Sequence, residues 1–445
     1  MIDQVLQLLH ERRFAEIKKA ALDMHYADIA EVFEQLQDDR ESALLFFRLL
    51  PKETAAETFA YMEPDVQEFV IGFITDRELR FILDDMYLDD YVDLIEEMPA
   101  NVVKRVLQNS SGENRQLINQ YLQYPEDSAG SLMTNEYIYL KQTLTVQQAL
   151  DMIRKIGIDK ETINTCYLID AQHRLDGVVG LRDLILAQPG ALVADIMNPN
   201  VISVNTHEDQ EEVAQMFSKY DMLAMPVVDN ENRLVGIITI DDVIDVLQGA
   251  ATEDMEKMAA ITPSDKPYLK TSVWEMWKSR TPWLLLLMVS ATFTGTIITH
   301  FESALTRAAL VACIPMLMDT GGNAGSQSSV MVIRGLSLGD IEFRDIFRVL
   351  WKEIRVALMC GVALAVCNVA KLVLFDRFDL PTALVVCTTL MCTVFFAKVT
   401  GGALPMLAKR LGFDPAVMAS PILTTIVDAA SLLMYFEIAT SVLKL

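Results

Sequence analysis

Five long apolar segments fill the second half of this 445-residue chain and limit its possible folds more than any other feature. They cover approximately residues 282–301, 308–333, 356–375, 383–409 and 415–441. Each of them is long enough to cross a hydrocarbon core of ~30 Å. The core of a soluble protein does not require five such segments in succession. The pattern therefore predicts a transmembrane domain with five helices over residues 281–445.

The loops between these segments differ in basic residues, which are enriched on the cytoplasmic side of membrane proteins. The loops that join segments two to three and four to five are rich in Lys and Arg: Arg334, Arg344, Arg348, Lys352, Arg355, Lys409 and Arg410. The opposite loops contain Arg307, Lys371 and Arg377. This asymmetry predicts a multi-pass protein of the cytoplasmic membrane, with its N-terminus inside and its C-terminus outside.

The acidic residues are concentrated in the first part of the chain. Residues 1–279 contain 24 Lys and Arg against 50 Asp and Glu, whereas residues 280–445 contain 13 against 11. An acidic soluble module of this kind is suited to inorganic cations and argues against nucleic acid, because a protein that binds the phosphate backbone needs a basic face. The N-terminal stretch has no apolar signal-peptide core, so we expect this module in the cytoplasm. The six cysteines form no CxxC pair, which argues against a zinc site.

Residues 1–130 contain a short repeat. Apolar positions followed closely by Asp or Pro recur at spacings of 14, 12, 12, 12 and 12, beginning at Leu36 and ending at Met98. Each unit fits one short helix and a turn, because Pro and Asp end one helix and begin the next. A single unit cannot bury its apolar face alone. The repeat therefore predicts an all-α solenoid over residues 1–130.

One part of this solenoid, residues 84–97, is dense in carboxylates. Asp89 and Asp93 are one helical turn apart and therefore lie on the same helix face. Such a face is either a solvated acidic surface or a binding surface for cations. The residues alone leave both interpretations open.

A second repeat, offset by 59 residues, occupies residues 136–250. Each copy contains a strand, a polar turn with Arg-Leu, a second strand and a helix, which resembles a tandem pair of CBS domains over residues 131–195 and 196–250. In that family a Gly-x-x-Thr-x-x-Asp motif often holds the ribose of an adenine nucleotide such as ATP. Gly236, Thr239 and Asp242 match this motif, whereas Gly180 replaces the hydroxyl residue in the first copy. The motif predicts at most one nucleotide site, and a purely structural role remains the alternative.

Residues 251–280 are predicted to form a connecting helix between the soluble part and the membrane. An acidic helical stretch over residues 251–258 precedes a turn that contains Pro263 and Pro267. Trp274 and Trp277 follow beside basic residues, a composition typical of a membrane surface.

The fifth apolar segment contains one carboxylate, Asp428. It lies about 22 Å along a helix that begins near Phe413, and hence close to mid-membrane. An ionised carboxylate there is costly unless it faces water or a cation. A buried aspartate that caps a neighbouring helix is one interpretation, and a ligand on an ion path is the one that the rest of the chain favours.

The second segment also contains residues unsuited to lipid. Gly321, Gly322 and Gly325 permit close helix packing or a broken helix that lines a cavity. Helix packing does not explain the polar residues beside them, Asp319 and Asn323. Counted from the cytoplasmic ends of their segments, Asp319 and Asp428 are at similar depth. Lys398, in the fourth segment, lies nearer the inner face, where we expect it to snorkel to the surface.

Four motifs in the apolar half resemble those of the MgtE family of magnesium channels. They are Gly-Gly-Asn-Ala-Gly-Ser-Gln at 321–327, Arg-Gly-Leu-Ser-Leu-Gly at 334–339, Gly-Phe-Asp-Pro-Ala at 412–416 and Thr-Thr-Ile-Val-Asp at 424–428. The order of a solenoid, a CBS pair, a connecting helix and five spans is also that of the family. The resemblance therefore covers essentially the whole chain.

This resemblance implies a homodimer in the lipid membrane with a pore between segments two and five. Asp428 would select the cation, with Asn323, Gly322 and Thr424 nearby and Asp319 as a carboxylate that many members lack. It also implies that intracellular Mg²⁺ binds acidic residues and closes the channel. The matching positions are Asp89, Asp93, Glu211, Asp221, Asp242, Asp245, Glu253 and Asp254.

Three other classes of function are weighed against a Mg²⁺ channel. An enzyme is disfavoured because the chain has neither an HExxH zinc motif nor a GxxxxGK[ST] phosphate loop. An anion channel is disfavoured by the intramembrane carboxylate. A cation-coupled carrier or exporter of Mg²⁺ or Co²⁺ with the same fold stays open, as does the ranking of Mg²⁺ against Co²⁺, Ni²⁺ and Mn²⁺.

Overall fold

The computed structural model describes residues 1–264, 266, 268–301, 308–418 and 420–443. The chain divides into two compact units, Met1–Val246 and Leu247–Leu445. The first contains a helical part followed by two small α/β domains, and the second consists of long helices.

The helical part of the first unit consists of ten short helices. They are α1 (Ile2–His10), α2 (Phe14–Leu22), α3 (Tyr26–Gln35), α4 (Arg40–Leu49), α5 (Lys52–Ala60), α6 (Pro64–Phe73), α7 (Asp76–Asp85), α8 (Leu88–Glu97), α9 (Ala100–Asn109) and α10 (Gly112–Tyr121). From α5 onward each helix begins twelve residues after the one before it. The predicted repeat and the all-α solenoid are confirmed.

Capping residues at the predicted turns explain why these helices are short and regular. The Asp39 side chain accepts a hydrogen bond from Ser42 N at the start of α4. At the start of α7, Thr75 and Glu78 form a capping box, in which each side chain binds the other residue's backbone N–H. The apolar faces between the caps are buried, with the Phe33 and Phe46 rings 5.1 Å apart. These caps, together with prolines at the starts of α5, α6 and α9, mark the helix boundaries, and stacking of neighbouring helices buries the core.

The α/β part contains two domains with the same strand order. Its elements are α11 (Ala129–Leu132), β1 (Ile138–Lys141), α12 (Val146–Ile156), β2 (Thr165–Ile169), β3 (Leu175–Gly180), α13 (Leu181–Leu186), α14 (Val193–Ile196), β4 (Val204–Asn205), α15 (Gln210–Tyr220), β5 (Ala224–Val228), β6 (Leu234–Thr239) and α16 (Ile240–Met258). The two sheets, β1-β2-β3 and β4-β5-β6, each contain one parallel pair and one antiparallel pair. Because β5 and β6 begin 59 residues after β2 and β3, the repeat offset identified in the sequence is the offset between the domains.

The connecting segment over residues 251–280 contains the end of one helix, a turn and the start of the next helix. Helix α16 ends at Met258, and the chain turns at Ala260, which has a positive φ of 55°. Pro263 follows, and Pro267 lies outside the described residues. The next helix begins at Val273, so Trp274 and Trp277 belong to its first turns, with their rings stacked 4.6 Å apart.

Five long helices form the rest of the second unit. They are α17 (Val273–His300), α18 (Ala308–Ser337), α19 (Ile346–Leu374), α20 (Leu380–Arg410) and α21 (Ser420–Leu443). Within the described residues, four stretches are long and apolar enough to cross a membrane, and they contain α17, α19, α20 and α21. Helix α18 is of similar length but carries the polar residues between Asp319 and Ser329. The predicted architecture of solenoid, CBS pair and helical membrane domain is confirmed.

Helix α20 packs against α18, α19 and α21 and is the most buried of the five. Helix α17 contacts α21, where the Phe301 and Phe436 rings stack 5.0 Å apart. This arrangement places α18 and α21, the two helices with intramembrane carboxylates, side by side.

Candidate ion path and cation sites

Helix α18 has a polar face built from Asp319, Asn323 and Gln327. These residues are four positions apart, so they lie on one side of the helix. All three are exposed in the single chain, whereas Gly321, Gly322 and Gly325 are buried. The polar face is therefore available to water, ions or a second protomer, and the glycines face the helix bundle.

Helix α21 completes this region. The half-buried Asp428 lies within electrostatic range of Asp319 on α18. A Cβ added at Gly322 would lie 3.2 Å from Thr424 Cγ2, so these two residues are in contact. The structure thus brings the predicted pore residues of the two helices together, and their role in an ion path stays a prediction.

The glycines of α18 serve close packing. A Cβ on Gly321 would lie 2.6 Å from Thr393 Cγ2, and one on Gly325 would lie 3.2 Å from Leu423 Cδ2. The helix continues without interruption through these positions. Of the two interpretations of the glycines, close approach of helices is therefore the one observed.

Lys398 does not snorkel to the surface as expected. Its side chain is buried, with a relative exposure of 5%, and its Nζ lies 3.4 Å from Ser328 Oγ. Ser328 in turn donates a hydrogen bond to Glu353. The sequence analysis did not identify Ser328 or Glu353, because contacts between three helices leave no periodic signal in the chain.

An acidic cluster of the first unit includes Asp93 on α8 and Asp242 on α16. Asp93 is exposed at the surface of the single chain, yet the protein atoms around it displace water and, with the like charges of Glu97 and Asp90, raise the pKa of Asp93 to about 7. Burial and the nearby carboxylate of Asp241 raise the pKa of Asp242 to about 6, against the opposing hydrogen bond from Thr239. The side chain of Asp89 lies outside the described residues.

Two further carboxylates belong to this cluster. Burial and the charge of Asp242 raise the pKa of Asp90 to about 6, and burial and the charge of Asp241 raise the pKa of Glu161 to about 7. Asp90 lies in the acidic stretch that we singled out, but Glu161 lies in a loop without any signal in the sequence. The cluster therefore joins the solenoid to both CBS domains electrostatically.

The other predicted cation ligands of the first unit lie apart from this cluster or at its edge. Glu211 and Asp221 lie at opposite ends of α15, at its first turn and its C-cap. Ten residues of helix separate them by about 15 Å, so they cannot share one ion. Asp245 is exposed on α16 and adds like charge to Asp242.

Glu253 and Asp254, in the second unit, already have partners. Lys257 forms ion pairs with Glu253 and with Asp414, the latter at 2.5 Å. Burial opposes the charge of Lys257, but the carboxylates of Asp414 and Glu253 prevail and raise its pKa. Asp254 accepts a hydrogen bond of 2.9 Å from Ser337, the last residue of α18. Side-chain contacts thus tie the end of α16 to the last residue of α18 and to Asp414, which follows α20.

No group of three or more His, Cys, Asp or Glu side chains among the described residues is arranged to hold a metal ion. Mg²⁺ commonly keeps several waters and takes only one or two carboxylates. The acidic cluster offers negative charge without a closed set of protein ligands among the described residues.

The candidate nucleotide motif lies at the end of β6. Thr239 donates a hydrogen bond of 2.7 Å to Asp242, across the junction between β6 and α16. Gly236 is required for packing, since a Cβ there would lie 2.7 Å from Met133 Sδ and 2.9 Å from the carbonyl oxygen of Thr134. The structure therefore brings Thr239 and Asp242 together at a site where Asp242 also belongs to the acidic cluster.

This fold and this combination of sites define an α-helical membrane protein with a polar, carboxylate-containing face, fused to a solenoid and a CBS pair. Family profiles agree with each part. A divalent cation transporter profile, MgtE, matches residues 314–438, and the MgtE intracellular N domain matches residues 24–127. CBS domains match residues 129–190 and 193–249.

Two curated relatives match almost the whole chain. The magnesium transporter MgtE of Thermus thermophilus is 38% identical over 98% of this chain and 97% of its own length. The magnesium transporter MgtE of Bacillus subtilis is 33% identical over 99% of this chain and 97% of its own. The chain belongs to the MgtE family. These relatives are named as transporters and not as enzymes.

Solved structures of soluble parts of related proteins also match. The cytosolic domain of the Mg²⁺ channel MgtE in complex with ATP has a TM-score of 0.52 and 36% identity, covering 55% of this chain and 100% of that one. The soluble part of a magnesium transporter has a TM-score of 0.53 and 31% identity, covering 56% and 98%.

Proposed function

We propose that this protein is a Mg²⁺ channel that admits magnesium across the cytoplasmic membrane. The observation that carries the proposal is the placement of Asp319 and Asp428 within electrostatic range on two adjoining helices, beside the contact between Gly322 and Thr424. The match of residues 314–438 to the divalent cation transporter profile MgtE supports it. Two carboxylates are not expected on helices that face only lipid, because an intramembrane carboxylate is costly without a cation or water beside it.

A homodimer provides the second wall of the path. The exposed polar face of α18 is unsuited to lipid, and a two-fold axis beside it would place two copies of Asn323 and Asp428 around one channel. Two carboxylates and backbone carbonyls attract a hydrated Mg²⁺ without trapping it, because the ion retains its waters. Selection among Mg²⁺, Co²⁺, Ni²⁺ and Mn²⁺ then depends on how the helices position these groups.

Intracellular Mg²⁺ closes this channel in our proposal. The distribution of basic residues supports a cytoplasmic location for the acidic part of the chain. Like charges in the cluster around Asp93 and Asp242 oppose its compact form, and bound Mg²⁺ relieves the repulsion. An ion that binds the compact form more tightly shifts the population toward it. Glu211, Asp221, Asp245, Glu253 and Asp254 are the further carboxylates that we assign to this regulation.

The second CBS domain is the proposed nucleotide site. Thr239 and Asp242 match the ribose motif, and the matching cytosolic domain of a related channel was solved with ATP. An adenine nucleotide that accepts a hydrogen bond from the Thr239 hydroxyl would compete with Asp242, which accepts that hydrogen bond now. Nucleotide occupancy would then alter the charge environment of the acidic cluster.

Flux measurements on reconstituted protein test the proposal. The full-length wild type, in liposomes that contain a Mg²⁺-sensitive dye, is expected to take up Mg²⁺ down its gradient. Asp428→Asn keeps the size of the side chain but loses the charge that offsets ion dehydration, so uptake should fall to the level of empty liposomes. Normal uptake by a correctly assembled Asp428→Asn protein would remove Asp428 from the path. Glu437→Gln, on the same helix, is the matched control and should retain uptake.

A further inference from the structure

Lys398 places a buried cation inside the helical unit. Its side chain has a relative exposure of 5%, and its Nζ lies 3.5 Å from the carbonyl oxygen of Ala324 and 3.4 Å from Ser328 Oγ. Both partners belong to α18. An ammonium group in a protein interior requires compensating charge or hydrogen bonds, because its desolvation is costly.

Glu353 on α19 supplies the compensating charge through Ser328. The Ser328 hydroxyl lies 2.6 Å from Glu353 Oε2 and 3.5 Å from the carbonyl oxygen of Ala324. A hydroxyl has one proton to donate, and the short distance assigns it to Glu353. The lone pairs of Ser328 Oγ remain for Lys398. A continuous polar connection therefore runs from the lysine to the glutamate across three helices.

Close backbone packing fixes this connection in place. A Cβ on Gly401 would overlap the carbonyl oxygen of Gly325, and one on Gly402 would lie 3.2 Å from Glu353 Cγ. Gly401 and Gly402 lie one turn after Lys398 on α20. Helices α18 and α20 can approach this closely because Gly325 and Gly401 have no side chains. The same close approach brings Lys398 to Ser328.

The connection ends one residue away from the candidate ion path. Ala324, whose carbonyl oxygen Lys398 approaches, lies between Asn323 on the polar face and Gly325 in the packed face. Any shift of this turn moves Asn323 and the adjacent Gly322, which contacts Thr424. A buried positive charge at this turn also lowers the attraction of the path for cations, which favours release of Mg²⁺.

We propose that Lys398, Ser328 and Glu353 form an intramembrane relay that positions the Asn323 turn of α18 and sets the affinity and selectivity of the path for Mg²⁺. The three residues are positioning residues, since they act through α18 and not as ligands. The inference rests on the proposed function, because it assumes that divalent cations pass beside Asn323.

Uptake by the full-length protein in liposomes tests the relay through two quantities, the Mg²⁺ concentration for half-maximal uptake and the ratio of Mg²⁺ to Co²⁺ uptake. Ser328→Ala keeps both charges but interrupts the relay, and Glu353→Gln keeps the shape but removes the negative charge. We expect either variant to shift at least one of these quantities by about tenfold, which corresponds to about 1.4 kcal/mol. Lys398→Met should lower the Mg²⁺ concentration for half-maximal uptake by about tenfold, because a positive charge that weakens the attraction of the path for cations is lost.

The double variant Lys398→Met/Glu353→Gln is the decisive comparison. Each single substitution breaks the same connection, so the double variant should shift both quantities no further than the larger single change if the residues act as one unit, whereas independent roles would give the sum of the two changes. Lys371→Met is the matched control, since Lys371 is a lysine of α19 that is 59% exposed and paired with Asp376. It should leave both quantities unchanged.

Unchanged half-maximal concentration and selectivity in Ser328→Ala and Glu353→Gln would overturn the relay, even if Lys398→Met does not assemble. A lower maximal rate alone, with both quantities unchanged, would assign these residues to folding. Failure of the wild type to take up Mg²⁺ contradicts the proposed function instead, so the two failures are distinguishable.

Discussion

Asp93 on the solenoid and Asp242 on the second CBS domain repel each other electrostatically, although they are far apart in the sequence. Asp90 and Glu161 add to this repulsion. Four carboxylates with raised pKa values therefore come together from the solenoid and the two CBS domains, within one compact unit. Such a cluster stores repulsion that either protons or divalent cations relieve.

Stability of the soluble fragment should fall as the pH rises. The folded-state pKa values of the four carboxyls are about 6 to 7, above their ordinary values near 4. The folded state therefore binds more protons than the unfolded state between about pH 4 and pH 7, and this contribution is lost as the pH rises through that window. Thermal unfolding of residues 1–258 without metal should show a lower melting temperature at pH 8 than at pH 5. A melting temperature that rises over this range would contradict the assignment.

Replacement of Asp93 should reduce the response to Mg²⁺. Asp93→Asn removes one of the repelling charges, so the metal-free fragment at pH 8 should be more stable than the wild type. Its gain in melting temperature at about 10 mM Mg²⁺ should be roughly half that of the wild type, because a cation ligand is lost. Glu31→Gln, at an exposed position of α3, is the control. Equal Mg²⁺ gains in all three proteins would leave Asp93 as a solvated surface residue.

Adenine nucleotide should stabilise the same fragment. ATP at concentrations above its dissociation constant should raise the melting temperature in proportion to occupancy. Thr239→Val removes the ribose-binding hydroxyl and should abolish the shift, whereas Thr165→Val in the first CBS domain should retain it. If ATP has no effect on the folded wild type, Gly236, Thr239 and Asp242 are structural.

Gly401→Ala should destabilise the full-length protein in detergent. The added methyl group would overlap the carbonyl oxygen of Gly325, so α18 and α20 must move apart. Overpacking of this kind costs about 1–3 kcal/mol and should lower the melting temperature by several degrees. Gly295→Ala in α17 is the control, because nothing lies within 4 Å of the added methyl group. Comparable melting temperatures for the two variants would contradict the close helix contact.

Features with a local cause were predictable from the sequence. The period of the solenoid follows from caps such as Asp39 and Thr75, each of which acts within its own turn. The two CBS domains share strand positions at an offset of 59 residues because each copy folds from its own pattern. The end of α16 at Met258 was anticipated by the acidic stretch and by the turn that contains Pro263 after it.

Features that depend on tertiary contact were not predictable. Lys398 is on an apolar helix, and its position in the sequence does not show which way its side chain points. The close packing of Gly401 on Gly325 turns this side chain into the helix bundle, where it is buried. Glu161 joins the acidic cluster through the arrangement of the domains. The domain boundaries and the roles of Asp428 and the regulatory carboxylates remain predictions.

Single-channel recording tests the central claim most directly. Full-length protein in a planar bilayer, with Mg²⁺ as the permeant cation, should show discrete unitary currents. Their open probability should fall as Mg²⁺ rises from micromolar to about 10 mM on the side that carries the acidic domains, because several weak sites act together. Mg²⁺ uptake without unitary currents, or an open probability that does not depend on Mg²⁺ on either side, would contradict a channel closed by intracellular Mg²⁺ and favour a cation-coupled carrier or exporter.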